Sequence, residues 1–355
     1  MTLLGLTSDE LAAEVKGQPG GGLAHKLYRE AMREGRFDPE GAGLGPRAVE
    51  AWHSRYHLEL LEVVRTHDEP APDGRRTTKA VLRTHDGFEV ECVRIPMGRD
   101  RWTLCLSSQV GCRLGCVFCE TGKIGLVRHL DAAEIVAQVV TTRVKLAWPV
   151  QKIVFMGMGE PLDNAEAVVQ ALRVLHDPRG FALGQAQLTV CTAGHVEGLR
   201  RLSSLGWPRL NLSVSLNAAQ DAKRDKLMPI NRRVPLAELQ AALIRFRPTE
   251  RFIFAVNYCL LPGFNDGAED VRAVADFCRP LGRCLVNVIP YNPGSRPLTR
   301  RPEEAEVEAF IADLKAEGLP VQRRRTKGQG VMAACGQLGN VRLRAHRQRL
   351  PVYDA

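Results

Sequence analysis

From about residue 100 onward, short apolar runs alternate with stretches of helical period. That alternation confines the fold to a parallel sheet with helices packed outside it. The strand candidates are residues 104–108, 152–156, 187–191, 210–216, 252–259 and 283–289. Amphipathic segments 132–145, 166–175, 196–205, 236–246, 270–278 and 304–317 lie between and after them. Six strand–helix units fit an α/β fold of the open, partial (β/α)6 barrel kind, in which functional residues gather at the C-terminal ends of the strands. No internal repeat and no low-complexity segment breaks this rhythm.

The first hundred residues read differently. Residues 1–66 carry helical periods, opened by the polar cap Ser8-Asp9-Glu10 and continued by 27–32 and 48–64. They form a small helical accessory domain. Pro70-Ala71-Pro72-Asp73-Gly74 is a turn, and residues 78–83 and 89–95 alternate apolar and polar side chains. Asp86-Gly87 between them is a hairpin signal. The expected organisation is an accessory domain at 1–66, a hairpin linker at 67–98 carrying Glu91, the barrel at 99–345 and a basic tail at 346–355.

Hydrophobic content of 45% and charged content of 25% are ordinary for a globular protein. No apolar run reaches membrane-spanning length and no secretory leader is visible, so a cytoplasmic, membrane-free protein is expected. Thiols stay reduced there, and ten cysteines then point to a metal or redox task rather than a disulfide scaffold. The net charge of +9 favours a polyanionic partner. No acidic residue lies between Glu317 and Asp354, whereas Arg323, Arg324, Arg325, Lys327, Arg342, Arg344, Arg347 and Arg349 do. Such a one-signed stretch repels itself unless phosphates neutralise it, which points to a nucleic acid.

The chemistry sits just after the first barrel strand. Cys112, Cys116 and Cys119 form a CxxxCxxC loop with Phe118 before the last thiol. Zinc prefers four ligands in two pairs, and no second pair lies nearby. Three thiolates can instead hold three irons of a cubic [4Fe–4S] cluster and leave the fourth open for chemistry. The spacing resembles the cluster loop of the radical S-adenosylmethionine (SAM) superfamily. Four further segments follow strand candidates: Met156-Gly157-Met158-Gly159-Glu160-Pro161-Leu162, Thr189-Val190-Cys191-Thr192-Ala193-Gly194, Ser213-Val214-Ser215-Leu216-Asn217-Ala218 and Ile289-Pro290-Tyr291-Asn292-Pro293. With Thr103-Leu104-Cys105 and Met332-Ala333-Ala334-Cys335-Gly336-Gln337-Leu338, they resemble the RlmN/Cfr family of radical SAM RNA (adenosine-C) methyltransferases over nearly the whole chain.

The resemblance implies a radical SAM barrel, a [4Fe–4S] cluster on Cys112, Cys116 and Cys119, and two SAM molecules per turnover. It implies that Gly159, Glu160, Cys191, Ser215, Leu216, Asn217 and Asn292 line the SAM pocket. It also implies that Cys335 is methylated by one SAM and that a 5′-deoxyadenosyl radical from the second abstracts hydrogen from that methyl group. The methylene then adds to an adenine carbon, and Cys105 resolves the covalent protein–RNA adduct through a disulfide. Either Glu91 or Cys105 is the base, although Glu91 read alone is a solvent-facing strand residue. Cys92, Cys259, Cys278 and Cys284 fall on apolar patterns and read as core. The implied partners are RNA (23S ribosomal RNA, then transfer RNA) and an electron donor such as flavodoxin, acting on a monomer. Carbon 2 of adenine is expected ahead of carbon 8. Gly328-Gln329-Gly330-Val331-Met332, Cys191 and Asn217 depart from the family's pattern. An activating enzyme acting on a protein would not need the basic stretch and the Cys105/Cys335 pair. A non-catalytic RNA-binding relative would not need the complete set of site residues.

Overall fold

The computed structural model describes residues 1–71, 74–98 and 100–339. The expected tail at 346–355, with Arg342, Arg344, Arg347 and Arg349, lies outside the described residues. Three helices open the chain: α1 (Ser8–Glu14), α2 (Ala24–Glu34) and α3 (Pro46–Arg55). Three antiparallel strands follow, β1 (Glu62–Pro70), β2 (Arg76–Arg83) and β3 (Glu89–Pro96). Next come β4 (Trp102–Cys105), β5 (Gln109–Cys112), the short α4 (Glu120–Ile124) and β6 (Gly125–His129). The alternating part continues as α5 (Ala132–Leu146), β7 (Lys152–Phe155), α6 (Ala165–His176), β8 (Leu188–Thr192), α7 (Val196–Ser203) and β9 (Asn211–Ser215). It closes with α8 (Asp221–Leu227), α9 (Leu236–Phe246), β10 (Phe254–Leu260), α10 (Ala268–Cys278), β11 (Cys284–Pro290), α11 (Glu304–Ala316) and β12 (Val321–Arg323).

Among the described residues, one sheet runs β1-β2-β3-β4-β7-β8-β9-β10-β11-β12, parallel from β4 onward. The parallel strands stand side by side in chain order. Because each crossover is right-handed, an order that never reverses keeps the helices on one face. The other face curls inward as the lumen of an open (β/α) barrel, with both ends of the sheet left unjoined.

Three expectations change. Residues 48–64 are not one helix: α3 stops at Arg55 and β1 starts at Glu62, its Val63 and Thr66 facing Leu82 and Ala80. The hairpin is therefore a three-stranded antiparallel extension of the barrel sheet. The parallel strands gain β12, which adds along β11. The N-terminal helices also share the barrel's apolar core, with Leu3, Leu4, Leu11, Leu27 and Tyr28 fully buried in it. Ser8 donates its N–H and hydroxyl to the Asp177 carboxylate (2.7 and 3.1 Å), and Arg33 donates to the Gly180 carbonyl (2.8 Å), which pins these helices to the segment after α6. Among the described residues, no helix is long and apolar enough to cross a membrane.

A separate two-stranded ladder, β5 with β6, closes the base of the loop that holds Cys116 and Cys119. Cys112 pairs with Gly125, so the last strand residue is itself a site thiol. Gly111 has a φ of +80°, and a Cβ there would lie 1.9 Å from the Gly125 carbonyl oxygen. Gly111→Ala should therefore break this register and cost about 2–4 kcal/mol, on the scale of other clashes at strained backbone. Thermal unfolding and iron content after anaerobic reconstitution check it. A variant with unchanged melting temperature and iron content would mean the ladder does not shape the loop.

Candidate active site

Strand ends and the loops after them build one wall each of an open cavity of about 900 Å³. Cys112, Cys116 and Cys119 line it, together with Gly159, Glu160, Cys191, Ser215, Asn217 and Cys335. The cysteine loop is seated on α8, where Val117 donates its N–H to the Leu227 carbonyl at 3.0 Å. Leu114, Cys116, Val117 and Phe118 pack against Leu227, Met228 and Tyr291.

The donor set tests which metal group fits. A single zinc with Zn–S of about 2.3 Å brings its sulfurs to about 3.8 Å of one another. Among the described residues, the one set of three or more His, Cys, Asp or Glu ligand atoms within 4.8 Å of one another is His85, Asp86 and Glu134. The three loop thiols are spread wider, as a cube that gives each thiolate its own iron requires. Burial pushes the Cys112 thiol up to about 12 and raises Cys116 and Cys119 as well, so a cationic metal is what would hold them as thiolates. The His85 group is no metal site. Arg128 fills it, donating to Asp86 at 2.6 and 2.8 Å and to Glu134 at 2.7 Å.

Glu160 stands at the exit of β7. It is buried, and its carboxylate accepts from the Ala193 N–H (2.8 Å) and the Leu162 N–H (3.1 Å). Burial pushes it up to about 7, against hydrogen bonds that favour the charged form. Such an acid can meet a cation that enters the cavity. Asn217 holds a left-handed conformation (φ +57°) and accepts from the Cys259 N–H at 2.9 Å, which fixes the exit of β9 against that of β10.

Two expected SAM contacts stand back from the wall. The Leu216 side chain is fully buried in the core, and its backbone carbonyl accepts from Arg224 at 3.1 Å. Asn292 sits behind the loop that bears Cys335, donating to the Cys335 carbonyl (3.4 Å) and accepting from the Thr326 hydroxyl (3.2 Å).

Cys335 is exposed on the cavity rim. Its loop is anchored on both sides: Glu120 donates its N–H to the Gly336 carbonyl (2.7 Å), and Gln337 donates to the Pro293 carbonyl (2.9 Å). Cys105, at the end of β4, is buried and feels the Cys335 sulfur electrostatically; burial pushes its thiol up to about 12. Glu91 is not solvent-facing. It is 3% exposed, pairs with Lys79 at 3.3 Å and accepts from the Gly339 N–H at 3.0 Å. Lys79 also donates to the Met332 carbonyl (3.1 Å), so the pair grips the Cys335 loop.

Sequence reasoning missed several residues here. Cys259 is half-buried; it packs against the smaller apolar cluster, as its pattern suggested, and also lines the cavity. Asn257 lines it too, donating to the Ser213 hydroxyl at 2.7 Å. Arg324, read as part of a phosphate-binding stretch, is another lining residue. Its neighbour Arg323 bonds Glu304, and Lys327 bonds the Pro96 carbonyl. Arg323 thus has an acidic partner distant in the chain. A basic residue spacing of this kind in a loop after a strand end was the only available signal.

Residues 106–278 match the Radical SAM superfamily. The chain is 39% identical over 352 residues to "Probable dual-specificity RNA methyltransferase RlmN 1" of Protochlamydia amoebophila (strain UWE25), covering 97% of this chain and 95% of that one. It is 43% identical to "Probable dual-specificity RNA methyltransferase RlmN" of Moorella thermoacetica (strain ATCC 39073 / JCM 9320), over 76% of this chain and 77% of the relative. Among solved structures, a radical SAM methyltransferase from Sphaerobacter thermophilus superposes with a TM-score of 0.85 at 37% identity, covering 95% of this chain and 99% of that one.

The state of Glu160 gives a pH test. Its folded value of about 7 lies above the ordinary 4.5, so the native chain holds the proton more tightly than the unfolded chain does. Stability should rise as pH falls from about 7 toward 4.5 and be lost in the reverse direction. At about 1.4 kcal/mol per unit, this contribution spans ~3 kcal/mol. In Glu160→Gln it vanishes, so the variant should gain on the parent as pH rises through that window. Denaturant unfolding of both chains at a series of pH values reads the difference, and a flat difference would contradict the burial argument.

Proposed function

Because this chain belongs to the RlmN family of radical SAM RNA methyltransferases, we propose that it methylates an adenosine carbon in 23S ribosomal RNA, carbon 2 ahead of carbon 8, with transfer RNA as a second substrate. The observation that carries this reading is the exposed Cys335 thiol, held on an anchored loop over the cavity that the three cluster cysteines line. Adenine carbons are poor nucleophiles, and a sulfur that carries the methyl group beside a radical source answers that difficulty.

The [4Fe–4S] cluster and SAM belong to the family's chemistry and, when bound, supply a methyl group and a carbon-centred radical. Cys112, Cys116 and Cys119 would hold the cluster. Glu160, Ser215 and Asn217 would hold SAM, with Gly159 admitting it close to the backbone and Cys191 on the facing wall. Gly159 has a φ of +100°, which a residue with a side chain adopts only under strain. Two SAM molecules would be needed per methyl group, one to methylate Cys335 and one to supply the radical.

The electrostatic interaction between the Cys105 and Cys335 sulfurs supports a resolving role for Cys105. The Cys105 thiol would give up its proton as its sulfur attacks the Cys335 sulfur; the sulfur–carbon bond breaks, and the carbon keeps that electron pair and takes up one proton to become methyl, so the proton count is unchanged. Two sulfurs are oxidised to a disulfide, and the carbon is reduced by the same two electrons. A thiol reductant then restores the pair. Glu91 is the better base. Burial pushes the Cys105 thiol up to about 12 and so keeps it protonated at neutral pH, whereas Glu91 is a buried carboxylate paired with Lys79 at 3.3 Å. Release of the Gly339 N–H would free one Glu91 oxygen for the substrate proton. The target adenine must leave its stack to reach Cys335. A low-potential donor of the flavodoxin type supplies the electron, and the chain works as a monomer.

Nucleoside mass spectrometry tests the reading. Ribosomal and transfer RNA are incubated anaerobically with reconstituted protein, SAM and a strong reductant. A methyladenosine should appear with the parent chain and be absent with Cys335→Ala, and Cys105→Ala should accumulate a protein–RNA adduct. SAM cleavage without any methylated nucleoside would overturn the RNA assignment.

A further inference from the structure

Arg224, on α8, is 1% exposed. Burying a cation is costly unless an anion compensates it. Its acceptors here are neutral: the Leu216 carbonyl (3.1 Å), the Ala193 carbonyl (2.6 Å), the Ser215 carbonyl (3.3 Å) and the Asn231 amide oxygen (2.8 Å). Asn231 in turn donates its amide nitrogen to Asp221 (2.8 Å) and Asp225 (2.7 Å), two carboxylates that act on Arg224 through space without bonding it. None of the acceptors that bond the guanidinium carries a charge.

The cysteine loop is seated on the same helix as Arg224. Val117 bonds the Leu227 carbonyl at the end of the same helix, and Cys116 packs against the small apolar cluster that includes Leu227 and Met228. Cys116 is the strongest electrostatic partner of Arg224, ahead of Asp221 and Asp225. A cube bound by three thiolates carries net negative charge, and reduction adds one more unit. The potential of such a cluster depends on the charge around it.

We propose that Arg224 is the fixed counter-charge of the iron–sulfur cluster, a positioning residue that eases entry of the electron by stabilising the reduced form. The carbonyl cage holds the guanidinium beside the loop without neutralising it, so its field is spent on the cluster. Asp221 and Asp225, which Asn231 bonds, oppose that field. The inference rests on Cys112, Cys116 and Cys119 being the cluster ligands.

The test is a redox titration of the anaerobically reconstituted full chain without SAM, using dithionite and mediators, read by the reduced-cluster electron paramagnetic resonance signal. Arg224→Gln should lower the ratio of reduced to oxidised cluster at fixed poise roughly tenfold, which is ~59 mV for a one-electron couple. Arg224→Lys keeps the charge and should stay close to the parent. Asp225→Asn removes an opposing charge while leaving Asn231 a partner, and should shift the potential upward by less. Equal shifts in the Gln and Lys variants would mean that Arg224 acts only through its hydrogen bonds, and the proposal falls. If Arg224→Gln does not fold, the sign for Asp225→Asn decides: an upward shift supports the proposal, and no shift or a downward one overturns it. Iron content of the parent and of Cys116→Ala tests the ligand assignment separately. Full cluster content in Cys116→Ala would remove that assignment whatever the potentials do.

Discussion

The site depends on how closely the chain leaving β7 approaches the chain leaving β4. Gly157 donates its N–H to the Leu106 carbonyl at 2.9 Å, and Ser108 donates to the Met158 carbonyl at 2.9 Å. A Cβ on Gly157 would come within 2.5 Å of the Leu106 oxygen and 2.7 Å of the Ser107 nitrogen, so only glycine permits this contact. Gln109 completes it by accepting from the Glu160 N–H at 2.8 Å. Two exits are thereby zipped together. One launches the cysteine hairpin and the other presents Glu160. The Ser107 hydroxyl extends the link to β3, donating to the Glu91 carbonyl at 2.6 Å while accepting from the Met158 N–H at 2.8 Å. Cluster loop, buried acid and buried base candidate are thus fixed by one short backbone junction.

Much of the barrel was legible because its strands are buried on both faces and read as plain apolar runs, bounded by helices of clear period. The same property hid the inner wall. When both faces of a strand are covered, composition does not say which one meets the lumen. Cys259 on β10 therefore looked like core, although it lines the cavity, and Asn257 two residues earlier drew no notice. Asn257 in fact accepts from Asn287 of the adjacent strand at 3.0 Å, a polar rung inside the barrel. β1 was misread because charged residues alternate with Val63 and Val64 in a way that also suits a helix. β5, β6 and β12 have too few residues for a period to show.

Charge read along the chain misled where partners come from elsewhere. The segment before Cys335 has no acid of its own, yet Glu69 of β1 accepts the Gly328 N–H at 2.8 Å and also bonds Gly330. Lys79 of β2 and Glu91 of β3 hold Met332 and Gly339. The antiparallel extension therefore serves as a clamp on the loop that bears the reactive thiol. Its sequence, read alone, was only a hairpin joining two parts.

The clamp and the cavity also divide the electrostatic work. Burial drives Glu160 up to about 7 and Arg224 down to about 10, each toward its neutral form. Glu160 lines the cavity and Arg224 is buried, and each is braced by backbone groups rather than by a bonded opposite charge. A cation arriving at Glu160 and an anion arriving beside Cys116 would each restore what burial removed. The Ala193 peptide joins the two, since its N–H donates to Glu160 and its carbonyl accepts from Arg224. One peptide group at the exit of β8 therefore carries the acid on one side and the guanidinium on the other. The orientation of that single amide is therefore set from both ends, by the acid and by the guanidinium.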